Sequence, residues 1–358
     1  MSKAAELAKA GETLTNQPSG RKNLVTNGAM QIAQRTTSAT GLGGAAAYGS
    51  VDRFIIEAGH TAGRLTMAQV ADGPSGFANC VQLSCTTADT SIATEEYLIF
   101  SQRFEGQDLQ QLKKGTSDAE SVTVSFYVKG NASATYTLEL KDNDNGQFNS
   151  QEFSVTTDWV KITKTFVGDT AGAFGDDNAL SLKLNFWLHA GSQYTGGTHV
   201  SNTWGSTVNT RVGDNQTSFV DSTDRTLFLT GVQIEIGSQA TPFEHRSFGE
   251  ELALCSRYYT DVVRADDKTA HLIGYVQTAA VARYSFHVPM RAAPTITETN
   301  FVVMHGGGSE EAITSVDDIS KDNQLVSFRA NVSANLTAGQ AVALFSAGAA
   351  TLTFDSEL

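Results

Sequence analysis

The chain has 358 residues, with 25 Lys and Arg against 38 Asp and Glu, a formal net charge of −13, and 40% hydrophobic residues. That carboxylate surplus argues against binding nucleic acid through its phosphates and suits a soluble, outward-facing surface. No run approaches the roughly 18 consecutive apolar residues of a membrane-spanning helix, and the length allows two or three domains.

Residues 1–22 stand apart. Ser2 to Ala10 is rich in Ala, Glu, Lys and Leu, all good helix formers, and Gly11 is a plausible stop. A helix this short is marginal alone in water, so the segment either frays or is ordered by something else. No charged-then-apolar stretch of a signal peptide opens the chain.

Residues 23–259 read as one β-sandwich domain. Strands are expected at Leu24 to Ala33, Arg53 to Glu57, Arg64 to Val70, Cys80 to Cys85, Leu98 to Phe104 and Val122 to Lys129. Further strands follow at Tyr136 to Lys141, Gln151 to Val155, Val160 to Val167, Ser181 to His189 and Leu227 to Ile236. Turn-rich segments such as Lys141-Asp-Asn-Asp-Asn-Gly146 separate them, and a short helix is expected over Gly106 to Leu112. The stretch from Ala190 to Asp224 is a long polar loop, and a loop of that length in a compact domain usually serves binding or assembly.

The segment from Thr226 to Tyr259 reads strand, turn, helix. Val232, Ile234 and Ile236 alternate with Gln233, Glu235 and Gly237, and Leu227 and Leu229 keep the same alternation upstream. Gly231 in mid-strand suggests a bulge or a close backbone approach. Ser247 and Glu250 have capping-box spacing before a short helix with Leu252, Cys255 and Tyr259 on one face. Residues 260–358 read as a second, small β domain, with strands at His271 to Gln277, Ala282 to Val288, Phe301 to His305, Leu325 to Asn331, Ala341 to Phe345 and Ala350 to Phe354. The fold class is therefore all-β: a sandwich, a short helical segment at the amino terminus and a small carboxy-terminal β domain. Cys80, Cys85 and Cys255 have no metal-ligand spacing and read as buried free thiols.

No catalytic motif is present: no nucleophile elbow, zinc-helix motif, P-loop or dinucleotide fingerprint. The adjacent carboxylates Glu95-Glu96 and Asp176-Asp177 point to opposite faces if they lie on strands. Asp142-Asn-Asp-Asn-Gly146 has oxygen-bearing side chains at alternate positions, as at the start of a calcium loop, although Asn-Gly is equally the dipeptide of a hairpin turn. Asp142 and Asp144 are thus candidates for a structural calcium, with Asp176 and Asp177 behind them. Trp187, Tyr194 and Trp204 are candidates for stacking on a saccharide. The alternation in Leu184-Asn-Phe-Trp-Leu188 places Trp187 in the core, whereas Tyr194 and Trp204 lie in the long loop.

Three stretches carry a family resemblance. Gly231-Val-Gln-Ile-Glu-Ile-Gly237, Ala240-Thr-Pro-Phe-Glu-His-Arg246 and Cys255-Ser-Arg-Tyr-Tyr259 resemble the closing segment of a jelly-roll module common in bacteriophage tail fibres and related virion proteins, especially of marine and cyanobacterial phages. Asn23-Leu-Val-Thr-Asn-Gly-Ala-Met-Gln-Ile-Ala-Gln-Arg35 looks like the same module's opening, followed by Val51-Asp52-Arg53, Gln102-Arg-Phe-Glu-Gly-Gln107 and Phe126-Tyr-Val-Lys129. The resemblance covers residues 23 to 259. It implies a jelly roll similar to carbohydrate-binding modules and a non-enzymatic virion protein made in the bacterial host cytoplasm. It further implies a homotrimeric tail fibre or receptor-binding protein that contacts host surface glycans and attaches to other tail or capsid proteins through residues 1–22. No cofactor is expected, although sugar-binding jelly rolls often carry a structural calcium, for which Asp142 and Asp144 are the candidates. The alternatives are a head fibre or capsid decoration protein, and a depolymerase of surface polysaccharide.

Overall fold

The computed structural model describes residues 21–265, 270–287, 289–321 and 325–358. The expected amino-terminal attachment segment therefore falls, up to residue 20, outside the described residues. The chain divides into two compact units, one ending at Glu251 and one spanning Leu252–Leu358, so the division lies within the helix Phe248–Ser256. That helix opens on the expected capping box: the Ser247 amide donates to Glu250 Oε2 (2.9 Å) and the Glu250 amide to Ser247 Oγ (3.3 Å).

The first unit is a jelly-roll sandwich of two six-stranded antiparallel sheets. One contains β1 (Ser38–Leu42), β4 (Arg64–Val70), β5 (Cys80–Thr87), β12 (Thr226–Ile236), β7 (Val122–Gly130) and β10 (Val160–Phe166), in that order. The other contains β2 (Ala47–Tyr48), β3 (Phe54–Gly59), β6 (Tyr97–Glu105), β11 (Leu180–Ala190), β8 (Ala134–Asp142) and β9 (Phe148–Val155). Period-two alternation sends one set of side chains inward from each sheet, and the layers interlock through aromatic rings. Phe126 of β7 meets Phe186 of β11 and Phe153 of β9 edge to face, with centroids 5.1 Å apart in both cases. Cys80, Cys85 and Cys255 are buried and form no disulfide, and burial raises the Cys80 thiol to about 11.

The opening segment differs from expectation. Leu24 to Ala33 is not a strand, because its backbone bonds are taken by side chains and by isolated contacts to both sheets. Leu24 N donates to Ile234 O and Val232 N to Gly28 O, on the β12 side. The Gln102 amide of β6 imitates a strand partner: its Oε1 accepts from Thr26 N (2.9 Å) and its Nε2 donates to Thr26 O (2.8 Å). Asn27 and Met30 adopt positive φ, which ends any ladder. Leu24, Val25 and Met30 nonetheless enter the core. Gly28 is fixed by the close approach, since a Cβ there would lie 2.1 Å from Val232 O.

At Gly231 (φ +63°) the β12–β7 register shifts between Thr230 and Gln233, which is a bulge. It reconciles a phase change visible in the residues. Leu227 and Leu229 face the core before the bulge, Val232 and Ile234 after it, and the extra residue keeps both pairs on one face. Over Gly106 to Leu112 the backbone forms two short 3-10 turns, Gly106–Asp108 and Gln110–Leu112, instead of one helix.

The second unit is a barrel-like sheet. β14 (Ala270–Thr278), β15 (Val281–His287), β18 (Leu325–Val332), β17 (Ser309–Lys321), β16 (Thr295–His305) and β19 (Ala341–Asp355) follow one another, and the pairing of β19 with both β14 and β16 closes the ring. β13 (Tyr259–Ala265) pairs with the last part of β19. The two expected strands at 341–345 and 350–354 are one strand that bends near Gly348 (φ +131°), where the β16–β19 register shifts. β13 and β17 were not expected.

Asn23 is 1% exposed; its Oδ1 accepts from Val25 N and Ile234 N (3.0 Å each) and its Nδ2 donates to Val232 O (3.1 Å). Asn23→Ala strands these groups at a cost of about 1–3 kcal/mol each. Urea unfolding should show stability lowered by at least about 3 kcal/mol at unchanged m-value.

Candidate functional site

The outer face of the second sheet carries the chemistry. On β11, Leu182, Leu184, Phe186 and Leu188 enter the core, so Lys183, Asn185, Trp187 and His189 project outward. The same parity turns Tyr97, Ile99 and Arg103 of β6, Glu57 of β3, and Thr137, Glu139 and Lys141 of β8 to this face. The long loop from Gly191 to Arg225 is tied across it: Gly213 N donates to Thr137 Oγ1, Asn215 N to Glu152 Oε1, Gln216 Nε2 to Trp187 O and Phe219 N to Leu188 O.

A cleft of about 200 Å³ remains between loop and sheet. Tyr97 and Tyr194 form an aromatic wall with centroids 5.8 Å apart, and Trp187, 5.0 Å from Tyr194, forms the floor. Glu57, Ile99, Lys141, Lys183, Asn185 and Arg211 complete the lining. Trp187 is buried as expected, but outside the sandwich core, packed with Ile99 and Val212 beneath the loop.

Glu139 sets the geometry. It is fully buried and accepts from Arg211 Nε (2.8 Å), the second Arg211 nitrogen (2.9 Å), Trp187 Nε1 (2.7 Å) and Asn185 Nδ2 (3.0 Å). Burial pushes its carboxyl up, but the Arg211 guanidinium and these donors outweigh that and hold it below the usual carboxylate range. Arg211 also lies over Trp187 (4.8 Å), Phe148 (5.4 Å) and Tyr194 (5.8 Å), so one loop residue locks an ion pair and three rings together. Glu57 behaves alike: burial raises its carboxyl, while Lys183 and Arg103, both 2.9 Å away, bring it below its ordinary value.

Trp204 lies elsewhere. Its Nε1 donates to Val167 O (2.8 Å) and its ring packs against the sandwich core beside Leu112 and Phe174. The structure thus brings Trp187 and Tyr194 together and leaves Trp204 as packing.

Asp142 and Asp144 lie in the β8–β9 turn. Asp142 Oδ1 accepts from the amides of Asp144 and Asn145, and its Oδ2 lies 2.6 Å from Lys114 Nζ. Asp144 Oδ2 accepts from Gly175 N. Lys114 is nearly buried; its ammonium also meets Asp169 Oδ2 at 2.9 Å and donates to the carbonyls of Ala171 (2.8 Å) and Gly172 (2.7 Å). With three protons for four oxygens, the Asp169 contact is Coulombic. Both Asp142 oxygens are already engaged, Oδ1 by two backbone amides and Oδ2 by the Lys114 ammonium, so the donor set does not fit a calcium ion. Asp177 Oδ1 caps Ala179 N. No group of three or more His, Cys, Asp or Glu is placed to hold a metal among the described residues.

A carboxylate–imidazole–hydroxyl chain lies at the end of β11: Glu96 Oε2 to His189 Nε2 (3.1 Å) and His189 Nδ1 to Ser218 Oγ (2.8 Å). The connectivity is that of a hydrolase triad. The imidazole, however, is fully buried and none of the three residues lines the cleft; the chain of bonds ties the loop's far end to the sheet.

Tyr97, Lys141, Lys183, Glu57, Glu139 and Arg211 escape a reading by motif. For Glu57, Glu139, Lys141 and Lys183 the signal is charge at alternate positions of strands whose other face is largely apolar; Tyr97 is an aromatic at the start of such a strand, and Arg211 lies in the loop.

No protein-family model matches the chain, and no curated protein matches its sequence. Similar solved structures exist. A family 11 carbohydrate-binding module from Clostridium thermocellum is 11% identical, with 53% of this chain and 91% of that one covered and a TM-score of 0.28. A CBM22 tandem domain from Paenibacillus barcinonensis is 10% identical over 95% and 98% of the two chains, at a TM-score of 0.29. The enzymatically active domain of tailspike protein 4 from bacteriophage CBA120 is 13% identical; 60% of this chain and 21% of that one are covered, at a TM-score of 0.31.

Removing one partner of a buried ion pair costs about 3–5 kcal/mol. Arg211→Ala should lower stability by that order and shift Trp187 emission to the red as the loop lifts, measured by urea unfolding and fluorescence. Because Glu139 titrates below its ordinary value of 4.5, its contribution is complete above that pH and is lost as the pH falls through the lower folded value. Urea midpoints should therefore drop below pH 4.5, and Glu139→Gln should lower the plateau while flattening the acid limb.

Proposed function

We propose that the cleft binds a saccharide and that the chain is a non-catalytic, glycan-binding component of a phage fibre. The observation that carries the reading is the pairing of an aromatic wall, Tyr97 and Tyr194 over Trp187, with fixed polar groups beside it. Sugar C–H faces pack on aromatic rings, while Asn185 and the charged groups are positioned for hydroxyls. The sheet and the Glu139–Arg211 pair hold these groups in place, which reduces the ordering cost of binding.

The two carboxylates of this region favour binding over glycoside hydrolysis. A hydrolase needs one carboxyl raised so that it stays protonated as the general acid. Glu57 and Glu139 are both depressed by paired cations. The virion assignment rests on the sequence resemblance, with homotrimeric assembly and attachment through residues 1–22 as parts of the same proposal.

Single sites of this kind are expected to be weak, and three copies per fibre raise avidity. In calorimetry against a panel of surface polysaccharide fragments, Tyr97→Ala and Tyr194→Ala should each weaken binding about tenfold, equivalent to about 1.4 kcal/mol, while Trp204→Ala should leave affinity unchanged. Binding unaffected by both tyrosine variants would exclude the cleft. New reducing ends would establish the depolymerase alternative. A stable monomer in light scattering, or no adsorption of the protein to host cells, would favour capsid decoration.

A further inference from the structure

Charge in the cleft runs against the charge of the chain. Its lining holds three cations, Lys141, Lys183 and Arg211, against one carboxylate, Glu57, with Arg103 and Glu139 paired to Glu57 and Arg211 from outside the lining. Glu57 is shared by Arg103 and Lys183, and Glu139 is engaged by Arg211. The Lys141 ammonium has neither a hydrogen-bond nor an ion-pair partner among the described residues, although the residue is half-buried in the lining. A half-buried amine without a partner is where an anionic group gains most by binding.

Resting on the proposed glycan-binding role of this cleft, we infer that its ligand is an acidic saccharide whose carboxylate or sulfate seats on Lys141, between Lys183 and Arg211. The surplus of two positive charges is local to a protein of net charge −13, so it is a property of this face. Burial and the neighbouring Arg211 and Lys183 also depress the Lys141 ammonium from its ordinary value, with Glu139 and Glu57 offsetting only part. An anion in the cleft would reverse that depression, so binding should take up a fraction of a proton at alkaline pH.

The test is calorimetry on the full chain with three probes of matched length: a galacturonate oligosaccharide, a sulfated galactan oligosaccharide and a neutral galactan oligosaccharide. The expected result is at least tenfold preference for one or both acidic probes, weakening as NaCl rises from about 50 to 500 mM, because screening shortens the reach of the charge. The two acidic arms distinguish carboxylate from sulfate. Lys141→Met should abolish the preference without lowering the melting temperature, since it breaks no ion pair. Salt-insensitive binding of the neutral probe, unchanged in Lys141→Met, would overturn the acidic assignment and leave the cleft as a neutral-sugar site. If none of the probes binds and the surface panel above also fails, both readings fall.

Discussion

The sandwich depends on a set of hydrogen bonds made where no β-ladder exists. The opening segment lies across the end of both sheets and is held by side chains. Asn23 joins it to β12, Gln102 joins it to β6, and Asn27 closes its own turn through Ile32 and the Asp52 carbonyl. The loop after β12 then returns over it. Glu244 accepts from the amides of Lys22 and Asn23, Arg246 donates to Val25 O and pairs with Glu244 and Glu251, and Glu251 receives the Asn27 amide. Beneath that loop, Gln233 and Glu235 are buried on the outer face of β12 and are satisfied by Glu244 N, Thr241 N and Thr241 Oγ1. Leaving any of these buried groups unpaired would cost far more than a surface bond.

This clamp explains what the sequence disclosed and what it hid. Alternation made most strands legible; Arg64–Val70, Val122–Gly130 and Thr226–Ile236 lie within a residue of their expected limits. The opening stretch has the apolar spacing of a strand because Leu24, Val25 and Met30 are buried, but burial there comes from lying between sheets. Its Asn residues, ordinary turn formers, were the contrary sign. β17 was missed because Ser309–Lys321 is dominated by acidic and small polar residues, with Ile313 and Val316 its main apolar contacts. The candidate site was half legible. Aromatic residues in a long loop drew attention to Tyr194, which lines the cleft, and to Trp204, which packs against the core. Trp187 looked internal because its immediate neighbours are.

The cleft depends on the same economy of buried polar groups. Glu139 would be untenable at the centre of a sheet without Arg211, and Arg211 would have no reason to cross from the loop without Glu139. Their pairing positions Tyr194, buries Trp187 and leaves Lys141 as the unmatched charge. The ion pair thus contributes geometry more than net stability, consistent with the small net benefit of buried pairs over apolar packing. Lys114 does the equivalent just beyond, at the last residue of β8, holding the turn at Asp142 to the 169–172 loop.

Clamp and cleft share almost no residues. Asn23, Asp52, Gln102, Gln233, Glu235, Thr241, Glu244 and Arg246 form the clamp, and none of them lines the cleft. The physical demands on the two differ. Clamp groups are buried and mutually satisfied, so a change in one strands several others and the set persists or fails together. Cleft groups such as Lys141 and Tyr194 meet solvent on one side and can change singly without unfolding the sheet beneath. A signature built from the first set reports the architecture and is silent about the ligand. Specificity must be read from the second set, in which the unpaired charge of Lys141 is the most informative feature.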